Sequence, residues 1–377
     1  MSLPHTRTQR RVRRTLRIAL IWGIAGLLAA LFERNILAGH GIPIAFSDLA
    51  LGNLAEYFLV GLIAGGLYSF VLRDHLRKLP FIQAFPRAAA VIFLIVTCTH
   101  AALPVWMGQV EADAAGILGR LFSLRFLGQY LFWSLLMGAT MLMVRYNDQY
   151  GVGGWGHLVG RYHKPREELR IFLFLDMRSS TAIAEELGHV RYFQLLNEVY
   201  ADITDPVLDS GGEIYQYVGD EVSVSWLLRK GIKQQRCLRC FFAIQDRIKA
   251  KAAHYQQRYG HAPIFKAGLH YGPVTAGEVG LVKKQVIFSG DPVITAAHIQ
   301  SVCNQFGVEL LMSEEMLDQL RLPEHQYERR SVGEIPLKSR KRTVRLWTVD
   351  RKGTRPGGKT AGPSATAEAA TSSTAAQ

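Results

Sequence analysis

The sequence predicts a helical transmembrane domain followed by an α+β domain, and three observations lead to that reading. Four long apolar stretches crowd into the first 146 of 377 residues. Beyond residue 168, short strand-like runs alternate with amphipathic helices and tight turns. After residue 352 the large apolar side chains stop. The expected divisions are a membrane domain over 1–146, a connector over 147–168, the α+β domain over 169–350 and a disordered tail over 351–377.

The apolar stretches run over residues 18–32, 54–72, 88–107 and 126–144. Most approach the ~20 residues that span a bilayer, and as a soluble bundle they would lack polar faces. Four spans are therefore expected. Loop charges orient them. Six arginines (Arg7, Arg10, Arg11, Arg13, Arg14 and Arg17) precede the first stretch with no acid. The next loop carries Glu33, Arg34 and Asp48, the one after it Arg73, Arg77, Lys78 and Arg87 against Asp74, and the third balances Glu111 and Asp113 against Arg120 and Arg125. Basic loops alternating with balanced ones put both termini in the cytoplasm of a multi-pass protein of the cell inner membrane.

The net charge of +13 follows largely from these loops, whose arginines can touch anionic membrane lipid. No helix-turn-helix, zinc-finger or RNA-binding signature is present, so no nucleic-acid partner is expected. The N-terminus lacks a small-residue cleavage site after a short apolar core, which predicts an uncleaved first span. Few charges fall inside the apolar stretches, which argues against a transporter or channel. Cys98, Cys237, Cys240 and Cys303 are too scattered for a disulfide framework. Cys237 and Cys240 lie on a helix-like segment and read as core thiols.

The Gly-rich connector leads into IFLFL, a short buried strand that ends at Asp176. A hydroxyl-rich helix start follows, with a short helix and then a longer one whose Phe193, Leu196, Val199, Tyr200 and Ile203 fall at helical spacing. Next, EIYQY and VSVSW flank VGDE as a hairpin with Asp220 at its tip. A hairpin tip set against a strand end brings two carboxylates together. They repel unless a cation lies between them, and hard oxygen ligands suit Mg²⁺ or Mn²⁺ on substrate phosphates. Downstream, residues 234–259 read as one amphipathic helix and 265–270 as a strand. TAGEVG and KQVIFSG read as a strand pair, ITAAHIQSVC and SEEMLDQL as helices, and 327–332 and 343–349 as the last strands. The tail, rich in small and polar residues, cannot bury a core.

This order of elements, continued through FKAGLHYGPVTAGEVG, SGDPVITAAHIQ and GEIPLKSRKRTVRLWTV, resembles the catalytic domain of class III nucleotidyl cyclases over roughly residues 168–350. The resemblance implies a ferredoxin-like fold in which Asp176 and Asp220 are catalytic and bind two metal ions per site, Mg²⁺ or Mn²⁺, with the Met177 carbonyl a further ligand. It places the backbone amides of Arg178, Ser179, Ser180 and Thr181, and the side chain of Lys338, at the phosphates. Base-reading positions fall at Gln216 and Ile287, and transition-state positions at Ile294 and His298; all four depart from the family's residues. Thr295 and Ser289 are the nearest polar groups that could stand in. The implied activity is conversion of a nucleoside triphosphate, ATP favoured, to its cyclic monophosphate and pyrophosphate, in a homodimer or in a heterodimer with another cyclase chain. The degenerate positions leave open a nucleotide-binding or regulatory module without turnover.

Overall fold

The computed structural model describes residues 4–76, 79–98, 118–119, 121–150, 162–280, 285–336 and 343–352. In the first part lie helices α1 (Pro4–Gly39), α2 (Phe46–Leu67), α3 (Phe81–Thr97) and α4 (Leu124–Tyr150). Three segments are long and apolar enough to cross a bilayer, namely Arg11–Gly39, Phe46–Leu72 and Phe126–Tyr146. The described residues thus hold three candidate spans, not the four expected. Helix α3 has 17 residues, about 26 Å at the ~1.5 Å rise of an α-helix, short of a ~30 Å hydrocarbon core. Residues 99–107, the rest of that expected span, lie outside the described residues. Trp22 of α1 stacks on Trp133 of α4 with centroids 5.6 Å apart and donates its indole N–H to Thr140 Oγ1 at 2.8 Å.

The second part is built on one eight-stranded sheet, β1 (Arg166–Met177), β2 (Glu213–Val218), β3 (Glu221–Leu227), β4 (Phe265–Val279), β5 (Gln285–Ser289), β6 (Leu310–Ser313), β7 (Tyr327–Pro336) and β8 (Thr343–Arg351). The order is β2-β3-β1-β4-β6-β8-β7, with β5 paired to β4. The β2–β3, β3–β1 and β1–β4 pairs are antiparallel, and β4 pairs with β6 in parallel. Helix α5 (Ser180–Asp209) connects β1 to β2, while α6 (Arg236–Ala250) and α7 (Ala252–Tyr259) connect β3 to β4. That βαββαβ order is the expected ferredoxin-like unit. Helices α8 (Asp291–Ser301) and α9 (Glu314–Leu320) complete the domain.

Local chemistry explains where these elements depart from the sequence reading. TAGEVG does not form its own strand; it is the far end of β4, held in register by β1 as far as Arg166↔Ala276. The helix expected over 234–259 divides at Lys251, whose φ of −107° and ψ of 9° leave the helical well. Helix α5 bends at Gly188, with φ 71° and ψ 160°. Phe193, expected on the buried face, is 65% exposed, whereas Leu195, Val199 and Ile203 are fully buried. The Cys237 and Cys240 thiols are buried in the core as expected, and burial pushes both up to about 12.

Beneath the start of β1, Arg170 is fully buried. Its guanidinium donates to Glu168 at 2.8 Å, to Glu213 and to Ser225 Oγ at 3.1 Å, and lies 4.3 Å from the ring centroid of Phe288. Burial lowers the guanidinium's proton affinity, but the charge of Glu213 and the hydrogen bond to Glu168 more than offset it. This group joins β1, β2, β3 and β5. Replacing Arg170 with Met strands two carboxylates, so Arg170→Met should lower stability by about 3–5 kcal/mol, measured as the urea midpoint of the purified chain.

Candidate active site

Strand register puts the two aspartates together. Strand β1 pairs with β3 up to Leu175↔Val222, so Asp176 and the turn at Gly219 and Asp220 follow immediately at the same edge. Gly219 takes φ 63°, a left-handed conformation that Cβ disfavours. Its carbonyl accepts from the Tyr200 hydroxyl, and the Tyr200 ring meets Tyr217 with centroids 4.5 Å apart. Burial, followed by the nearby Asp220 charge, pushes the Tyr200 phenol up to about 12, so it keeps its proton as a donor.

The Asp176 and Asp220 side chains are hydrogen-bonded to one another. Burial raises both carboxyls. At Asp176, hydrogen bonds from Asp220, Lys266 and Gln300, and the charge of Lys266, outweigh burial and hold it below the ordinary carboxylate range. At Asp220, the Asp176 carboxylate adds to burial, and the net direction is upward. Glu221 is raised by burial and then by the charges of the two aspartates. Lys266 Nζ sits 3.0 Å from Asp176 Oδ2, and Gln300 Nε2 donates to the same oxygen at 2.9 Å. Oδ2 of Asp220 is buried and receives no donor.

These residues fit a divalent cation. An orphaned, buried carboxylate oxygen beside an ionised carboxylate is a site for positive charge, and all the donors are hard oxygens. Among the described residues no group of three or more His, Cys, Asp or Glu is gathered to hold a metal. Two carboxylates are what Mg²⁺ takes from protein when phosphates and water complete its shell.

The remaining expected residues divide into groups. Ser179 adopts φ 57° ahead of α5, and Ser180 lies near enough to Asp220 to favour its carboxylate. The Arg178 amide donates to the Ile264 carbonyl at 2.8 Å, and the Arg178 side chain to the Val308 carbonyl at 2.8 Å. The Arg178 amide is thus already partnered within the fold, unlike the use expected of it. Met177 is buried at the end of β1. Lys338 lies outside the described residues.

Gln216 and Ile287 flank Tyr215 and Phe288, whose rings meet at 4.9 Å while the Phe288 amide donates to the Tyr215 hydroxyl at 3.3 Å. Ile294 is 62% exposed on α8, His298 is partly buried, and Thr295 is enclosed at 1% exposure. Ser289 is exposed. Sequence reasoning missed Lys266 and Gln300. Nothing local in the sequence marked either: Lys266 is set beside Asp176 by the β1–β4 register, and Gln300 by the approach of α8.

A family model described as the adenylate and guanylate cyclase catalytic domain matches residues 162–350. The chain is 39% identical over 166 residues to Adenylate cyclase 2 of Rhizobium meliloti (strain 1021), covering 44% of this chain and 46% of that protein. It is 26% identical over 161 residues to Adenylate cyclase of Anabaena cylindrica, covering 40% of this chain and 31% of that one. These matches span less than half the length of either relative. Among solved structures, a bacterial light-regulated adenylyl cyclase aligns with a TM-score of 0.49 at 19% identity, over 61% of this chain and 66% of that one.

Metal-free protein must hold the Asp220 carboxyl in an anionic neighbourhood. Asp220→Asn keeps the shape and removes that repulsion. In EDTA the variant should melt a few degrees above the unsubstituted chain and take up no Mn²⁺, checked by calorimetry and metal titration.

Proposed function

The chain belongs to the adenylate and guanylate cyclase catalytic domain family, and from that premise we propose that it is a membrane-bound nucleotidyl cyclase. It converts ATP to cyclic AMP and pyrophosphate on the cytoplasmic side of the cell membrane, where triphosphates are found. The observation that carries this reading is the Asp176–Asp220 pair, with its buried, donor-free oxygen.

Asp176 and Asp220 would hold two divalent ions, Mg²⁺ or Mn²⁺, together with the triphosphate. When bound, such ions neutralise phosphate charge and lower the pKa of the attacking 3′-hydroxyl. The amides of residues 179–181, at the start of α5, receive phosphate oxygens, because the first turn of a helix has unpartnered N–H groups and a favourable dipole. Ser180 steadies Asp220. Lys266, 3.0 Å from Asp176, places a positive charge beside the site. Gln216, which offers both a donor and an acceptor, reads the base, and Ile287 closes that side of it without polar contact. Exposed apolar groups at Phe193 and Val218 are consistent with a homodimer in which Gln216, Ile287, Ile294 and His298 address the partner's triphosphate.

Ile294 offers the ribose no hydrogen bond, and His298 carries charge only when protonated. Losing one preorganised transition-state contact lowers a rate roughly 10²- to 10³-fold, so turnover is slow in a homodimer. These two residues also favour a second reading, a nucleotide-binding module that does not turn over.

Membranes from a host without its own cyclase, given ATP or GTP with Mn²⁺, distinguish the two. Cyclic AMP formed by the unsubstituted chain and absent with Asp220→Ala is the expected result. Nucleotide binding with no cyclic product from either triphosphate supports the module. Ile294→Asn combined with His298→Arg should raise kcat at least tenfold; an unchanged kcat removes these positions from the transition state.

A further inference from the structure

The contact between Gln300 and Asp176 joins residues 124 positions apart, and the strand reading has no use for it. Gln300 is 4% exposed, so burying its amide requires a partner. The partner is the strand-end carboxylate. Helix α8 cannot drift from this arrangement, because its backbone is pressed against β4 at Gly268. A Cβ there would lie 2.3 Å from the backbone nitrogen of Gln300 and 2.4 Å from the Ala296 carbonyl oxygen. Two residues before Gly268, Lys266 grips the same Asp176 oxygen. Strand β4, helix α8 and the end of β1 therefore meet at one carboxylate.

Gln300 also has a particular place on α8. At about 100° per residue it points roughly 200° away from position 298 and 240° away from 294. The helix thus has an inner side that touches the metal-binding carboxylate of its own protomer and an outer side carrying Ile294 and His298.

We propose that Gln300 is a positioning residue for the metal site: its buried amide fixes one oxygen of Asp176, so that the carboxylate meets a cation in a single orientation, and it ties α8 to that carboxylate. The inference rests on the metal-binding reading above. Ligand-orienting partners of this kind typically account for about 10- to 100-fold in metal affinity. Lys266 acts on the same oxygen in the opposite sense, as a cation that competes with the metal.

The test uses the purified full chain in detergent, titrated with MnCl₂ alone and then with MnCl₂ and 3′-deoxy-ATP, which has no hydroxyl to cyclise. Free Mn²⁺ is read by electron paramagnetic resonance, and melting is followed in EDTA. Gln300→Met, of similar size without the donor, and Gln300→Asn, polar but too short, should each weaken Mn²⁺ binding about 10- to 100-fold with little change in metal-free melting. Lys266→Met should tighten binding of Mn²⁺ alone. If Gln300→Met does not fold, Gln300→Asn decides. Wild-type affinity in the folded Gln300 variants overturns the inference while leaving the cyclase reading intact, and so does a loss of affinity matched by an equal loss of metal-free stability. Absence of Mn²⁺ binding by the unsubstituted chain overturns both.

Discussion

Two carboxyl groups within hydrogen-bonding distance cannot both ionise without a cation between or beside them, and the catalytic half of this chain is arranged around that constraint. It is met by Lys266, by the Gln300 amide and by a raised proton affinity at Asp220. Each of these is an incomplete answer. Lys266 and Gln300 both serve Oδ2 of Asp176, and Oδ2 of Asp220 is left without a donor. That unevenness is the observation on which the proposed cation site rests.

The sheet supplies the rigidity this requires. Asp176 lies near the end of a strand flanked by β3 and β4, paired with Lys266 of β4 and one residue past the last β3 pair, so its backbone is anchored by the sheet. Asp220 sits on a two-stranded projection, and a hairpin alone is marginal. Tyr200 and Tyr217 correct for that by fastening the Gly219 turn to α5. Farther from the edge, the Arg170 group binds β2 to β1, β3 and β5 through one guanidinium. Its net effect is to hold in place the strands that carry Gln216 and Ile287, adjacent to Tyr215 and Phe288.

The parts of this design that are local were legible in the sequence. IFLFL followed by Asp, and VGDE between two β-branched and aromatic runs, announce a strand end and a turn with their own residues. Lys266 and Gln300 were not legible, since FKAGLH reads as an ordinary strand and HIQS as ordinary helix. Their role depends on which strand pairs with β1 and on how closely α8 approaches Gly268. Phe193 misled for a related reason: helical spacing identifies a face but not what covers it, and the bend at Gly188 changes what α5 can bury. Among the candidate spans, the third apolar stretch runs past the last described residue of α3, so the described residues hold three candidate spans where hydropathy marked four.

A degenerate outer face on α8 is compatible with an intact inner one because the two respond to different demands. Position 300 is enclosed, and a change there disturbs a buried carboxylate and the packing against β4 at once. Ile294 is 62% exposed, and its replacement is felt only by whatever lies opposite. The same helix can therefore lose transition-state contacts while the metal pair persists. In the proposed dimer, that separation would place the burden of rate on the residues that complete each site from across the interface, and leave metal and triphosphate binding to the protomer that owns the aspartates.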